Sequence, residues 1–100
     1  MQVDIIRAQH QRLREALAAL TSLTAPAPER TARAVAEIER AFADGVPVWA
    51  QHNLETIRAL VGEARGAEAR SARLTGAQLT ELAAACLDLY TVACREYWTA

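Results

Sequence analysis

Lysine is absent from this sequence. All 11 basic residues are arginine, set against 12 acidic ones, for a formal net charge of −1. A chain that grips phosphates without regard to sequence needs a basic excess, so no nucleic-acid partner is expected. Aromatic residues amount to only 5%, and the glycines, Gly45, Gly62, Gly66 and Gly76, are scattered. No glycine-rich loop of the phosphate-cradling kind is therefore present. No apolar run approaches the ~20 residues that span a bilayer, so no membrane segment is expected. Period-two alternation is missing as well, which removes strands of useful length. Cysteine is limited to Cys86 and Cys94. On one helix they stand about 12 Å apart along the axis, too far to bridge. The opening stretch MQVDIIRAQHQ carries Asp4 and lacks a small-residue cleavage site. No secretory leader is expected from it, and the expected compartment is the cytoplasm, where both cysteines stay thiols.

What remains is a chain built for helices. Its 100 residues make one domain, 1–100. Alanine, the strongest helix former, occurs 23 times. Leu, Ile, Val and Phe together number 22, enough for one modest core. Arginine without lysine, with so much alanine, matches the codon bias of GC-rich bacterial genomes.

Periodicity predicts four long helices. The first covers about residues 4–23, where Val3, Ile6, His10, Leu13, Leu17 and Leu20 draw one apolar stripe. Arg7, Gln11 and Arg14 are expected on the opposite face, and His10 is the only polar member of the stripe. The TAPAP segment, 24–28, breaks that helix. The second covers 28–44, with Val35, Ile38 and Phe42 inward, Glu29 near its positive end and Gly45 as its stop. The third covers 47–65, with Ala50, Asn53, Leu54, Ile57, Leu60, Val61 and Ala64 on one face. Trp49 lies at the edge of that face, and Gln51, His52 and Glu55 point away. Gly62 falls inside this helix at a cost of about 1 kcal/mol against alanine, which implies a close neighbour. Gly66 is its expected terminator. Residues 66–74 admit a short helix or a loop. The last helix, 76–98, is signposted by capping-box spacing at Thr75 and Gln78 and a staple pair, Leu74 and Leu79. The fold class that follows is all-α: an antiparallel four-helix bundle, with a short extra helix before the last long one if 66–74 is helical.

The last helix has an unusual girth. Leu79, Leu82, Ala83, Cys86, Leu87, Leu89, Tyr90, Ala93, Cys94 and Tyr97 cover more than half its circumference, leaving Glu81, Asp88, Thr91 and Arg95 as a wet strip. Such a helix is buried on more than one side. A two-fold contact would cover the second side, so a homodimer is expected, with Leu87, Tyr97 and Trp98 at the seam. The same aromatics could instead anchor a partner protein.

Chemistry is written more faintly. His10, His52, Cys86, Cys94 and nine Glu are the candidate metal ligands, yet no pair has Cys-x-x-Cys, His-x-x-x-His or Glu-x-x-His spacing. The stretch DIIRAQHQRLREALAAL resembles the first helix of hemerythrin-like cation-binding bundles, which would make His10 an inward ligand. That family's next His and Glu, on helix two, meet Phe42, Gly45 and Trp49 here. What is shared is the binary pattern, and neither a metal nor a cofactor is expected. His52, Leu54, Ala59, Val61 and Gly62 resemble the motif of histidine phosphotransfer domains, and the resemblance implies His52 as a phosphoryl site. Glu55 and Thr56 stand where that family has Lys and Gly, so negative charge and bulk flank the ring. Cys86, Tyr90 and Cys94 form an i, i+4, i+8 row that lines either a core or a pocket. Arg58, Arg65, Arg70 and Arg73 give the segment after helix three a mild positive character, half offset by Glu63 and Glu68.

Three roles compete on this reading. The first is a small interaction or accessory protein acting through a homodimer or partner interface on its last helix. The second is a sensor or accessory enzyme holding a small apolar ligand near His10, Trp49, Cys86, Tyr90 and Cys94. The third is a phosphotransfer-like module centred on His52.

Overall fold

The computed structural model describes residues 2–22 and 24–99. Among these the chain forms five helices and no strand: α1 Gln2–Leu20, α2 Ala27–Ala41, α3 Val48–Val61, α4 Ala64–Ser71 and α5 Gly76–Thr99. Residue 23, the expected end of the first helix, lies outside the described residues, and α1 stops at Leu20. None of the described helices is long and apolar enough to cross a membrane.

The helices enclose the core in the order α1, α2, α4, α3, α5, and α5 returns to α1. Short α4 thus fills the gap between α2 and α3, and the open question over 66–74 resolves as a helix followed by a turn. α1 and α5 run in opposite directions, since Arg7 meets Tyr97 and His10 meets Cys94. α1 and α2 do the same: Arg12 pairs with Glu37 at 3.3 Å, and Arg30 donates to the Leu20 carbonyl at 3.3 Å.

Because α1 packs against two neighbours, its stripe is divided. Gln9, Leu13 and Ala16 face the core, His10 is half-buried beside α5, and Val3 is exposed. The placing of Arg7 and Arg14 away from the stripe is corrected in the same way. Arg7 reaches over to α5, and Arg14 acts electrostatically on Tyr90. α2 buries Thr31, Ala34, Val35 and Ile38. It ends at Ala41, short of the expected residue 44, with Phe42 turning inward as its last buried apolar group.

α3 corrects the expectation of a helix to residue 65. It ends at Val61, because Gly62 takes φ +65° and breaks the hydrogen-bonded run. The close neighbour that Gly62 implied is Arg70, whose Nη1 donates to the Val61 carbonyl at 2.8 Å. A side chain of α4 thereby satisfies an end carbonyl of α3. The start of α4 is served likewise by α2, as the Ala64 amide donates to Glu39 Oε1 at 2.9 Å.

α5 opens on the capping box its sequence announces. The Thr75 amide donates to Gln78 Oε1 at 2.9 Å, and the Gln78 amide to Thr75 Oγ1 at 3.2 Å. Leu82, Ala85, Cys86, Leu89 and Ala93 then point into the core. Asn53 pins α3 to α5, its Nδ2 donating to Asp88 Oδ2 at 2.7 Å. Buried hydroxyls are satisfied on the spot: Thr31 bonds the Ala27 carbonyl at 3.0 Å and Ser71 the Glu68 carbonyl at 3.1 Å.

Candidate functional site

The chemistry of this chain gathers in the groove between α1 and α5. Arg7, His10 and Arg14 recur on α1 at three- and four-residue spacing, and Tyr90, Cys94 and Tyr97 do so on α5. The antiparallel pairing sets one row against the other. His10 Nε2 lies 3.2 Å from Cys94 Sγ. Its ring stacks on Tyr90 at 5.2 Å between centroids and leans on Tyr97 at 5.3 Å. Arg7 Nε donates to the Tyr97 hydroxyl at 3.3 Å. The hydrogen bond to Cys94, followed by desolvation, pushes the Tyr90 phenol above its ordinary range, and the charge of Arg14 pulls the other way. The Arg7 guanidinium is raised in its turn, chiefly by the bond to Tyr97.

An imidazole nitrogen within hydrogen-bond reach of a thiol can take up its proton. Cys94 is partly exposed, whereas Cys86 is buried. His10 and Cys94 are two donors, whereas a structural zinc needs four. Among the described residues no group of three or more His, Cys, Asp or Glu converges to hold a metal ion.

Two members of the foreseen pocket sit elsewhere. Trp49 turns toward the end of α2, its ring edge-on to Phe42 at 5.8 Å. Cys86 shares a row with Tyr90 and Cys94 but is 3% exposed inside the core. Burial pushes its thiol up to about 12. A thiol held protonated by folding lends its full stability below its ordinary value of 9.0, and loses it as pH climbs toward 12. Across that interval the unfolding temperature of Cys86→Ala is therefore expected to fall less than that of the native chain. Equal falls in the two proteins would count against this account.

His52 is exposed on α3, and the Thr56 hydroxyl one turn on folds back onto the His52 carbonyl at 3.2 Å. Of the expected seam residues, Leu87 and Trp98 are exposed, while Tyr97 is drawn into the His10 groove.

A second feature was not read from the sequence. The start of α1, the end of α2 and the approach to α3 border an open cleft of about 720 Å³. Ile5, Ala8, Val46 and Pro47 line it, and Asp4, Arg12, Arg40 and Asp44 stand among its charged residues. The Arg12 and Arg40 guanidiniums both converge on the Glu37 carboxylate. No signal in the sequence announces this cleft, because it forms where three separate elements meet.

No protein-family model matches the chain, and neither a curated protein nor a solved structure matches it.

Proposed function

We propose that this chain is a small helical interaction protein that works as a homodimer, its helices forming an antiparallel bundle. The observation that carries this reading is where apolar surface remains. Five large apolar side chains are exposed: Trp98 and Val48 at 83%, Ile5 at 58%, Leu87 at 56% and Val3 at 41%. All but Leu87 belong to one end of the molecule, where α1 and α3 begin and the last turn of α5 lies. Large apolar side chains left exposed toward one end of a chain are those that a second copy could cover. The chain exposes 6225 Å², against about 5,600 Å² expected for a compact monomer of this mass.

A second copy is the occupant this reading commits to, because a two-fold contact covers one apolar end with the same end of its partner. Arg12 is held by Glu15 as well as by Glu37, and Arg40 by Glu37, so the two arginines of the cleft are matched by two carboxylates. Asp4 and Asp44 form no ion pair among the described residues. They are the charges of this end that a two-fold contact must leave in water or pair across the seam.

Sedimentation equilibrium tests the reading. The native chain is expected at twice its 10.9 kDa mass, and Trp98→Ala should weaken association by roughly 30-fold or more, as loss of a central aromatic anchor does. A native chain that stays at 10.9 kDa throughout the micromolar range would overturn it. Leu87→Ala locates the seam. Weakening equal to that of Trp98→Ala would move the contact from the apolar end to the flank of α5.

A further inference from the structure

We propose that Cys94 and His10 form a thiol-exchange site for small anionic disulfides. This goes beyond dimerisation and rests on different residues. Of the two cysteines, only Cys94 is partly exposed and has a base at 3.2 Å from its sulfur. Cys86 has neither, so any reagent from solution meets one sulfur.

The step balances within the groove. His10 Nε2 takes the Cys94 proton, and the thiolate sulfur attacks one sulfur of R–S–S–R. The disulfide bond breaks, and its electron pair leaves on the second sulfur. That sulfur takes the proton back from His10, so the products are Cys94–S–S–R and RSH. The imidazole thus serves as base for the attacking thiol and as acid for the departing one. Helix geometry keeps Cys86 about 12 Å away along the axis, so it cannot displace R. The adduct persists until an external thiol removes it, and the site acts as a switch rather than a turnover centre.

The preference for anions comes from α1. Arg7 and Arg14 stand one turn either side of His10, and neither forms an ion pair among the described residues. Arg7 spends one nitrogen on Tyr97, leaving the rest of its fork available for a carboxylate. Asp4 acts on Arg7 only at longer range. On its own helix the Tyr90 phenol interacts with the sulfur, and Tyr97 packs against the His10 ring. α3 packs on another flank of α5, where its polar contact is Asn53 with Asp88.

The test incubates the reduced full chain with oxidised glutathione, which is anionic, or with cystamine, which is cationic. Peptide mass mapping follows the adduct. The adduct is expected on Cys94 alone, forming roughly fivefold faster with oxidised glutathione, a preference that salt erodes. His10→Gln should slow the reaction roughly tenfold near neutral pH and much less in alkali, where the thiolate forms without help. Because His10 also packs between two rings, the exposed pair Arg7→Gln and Arg14→Gln supplies a second arm, with circular dichroism confirming retained helix. This pair should abolish the anion preference while leaving the cystamine rate within about twofold. The proposal is overturned if Cys94 reacts no faster than in the urea-unfolded chain. It is overturned equally if His10→Gln leaves the neutral rate unchanged, or if the arginine pair leaves the preference intact.

Discussion

Leu89→Ala is expected to cost about 3 kcal/mol of unfolding free energy, inside the 2–5 kcal/mol range usual for emptying a buried leucine site. Leu89 is 0% exposed and sits midway along α5, the helix that packs against both α1 and α3. Its surroundings come from separate elements tied down elsewhere, by the His10–Cys94 contact on one side and Asn53–Asp88 on the other. Neither α1 nor α3 is free to collapse into the void, so the cavity term adds to the lost transfer energy. A domain of this size has only about 5–15 kcal/mol in total, so the variant should unfold at markedly lower urea with an unchanged slope. Leu87→Ala is the internal comparison. Two residues away on the same helix and largely exposed, it should shift monomer stability by no more than about 0.5 kcal/mol. Both are measured at one protein concentration, since association adds to apparent stability. Equal costs for the two variants would mean that α5 is rotated from the orientation described.

This contrast also shows why α5 reads as too apolar for one subunit. Its sequence presents apolar residues round most of the circumference, but many are alanines that either packing or solvent tolerates. The chain covers Leu82, Cys86, Leu89 and Ala93 by itself, and only Leu87 and Trp98 remain as large exposed groups. Burial of a given residue depends on how many neighbours a helix has, which periodicity does not state. Local signals fare better. The Thr75–Gln78 box was legible because both partners lie within one turn, and the inward row of α2 because a single face meets the core. His10 with Cys94 joins positions 84 apart, and its partner could be read only as one of several candidates. Arg7 and Arg14 were misplaced because a wheel divides a helix into two faces, whereas α1 has a core line, a flank along α5 and another along α2. Trp49 lay at the edge of its predicted face, and the edge chosen by packing was the one beside Phe42.

Gly62→Ala is expected to cost about 3 kcal/mol, although periodicity through Leu60, Val61 and Ala64 makes it look like a helix-stabilising change. Two terms combine. A φ of +65° with ψ of −141° is a conformation that side-chain-bearing residues adopt only at a cost of about 1–3 kcal/mol. The added Cβ would also stand 2.5 Å from Arg70 Nη1 and 2.9 Å from its Cζ. Arg70 is flexible enough to withdraw, but withdrawal gives up its 2.8 Å bond to the Val61 carbonyl at the end of α3. Gly66 separates the terms. The same guanidinium lies 2.8 Å from its would-be Cβ, yet Gly66 is inside α4 with an ordinary helical backbone. There alanine gains about 1 kcal/mol of helix propensity against the disturbed Arg70, and the net change should be small. A double-mutant cycle with Arg70→Ala divides the Gly62 cost. The part that vanishes in the Arg70→Ala background is the collision and the lost carbonyl bond. The part that survives is backbone strain, and it should be the larger share. A Gly62→Ala cost below about 0.5 kcal/mol would show that α3 does not end here through a left-handed glycine, and that the helix continues toward residue 65 as its periodicity suggests.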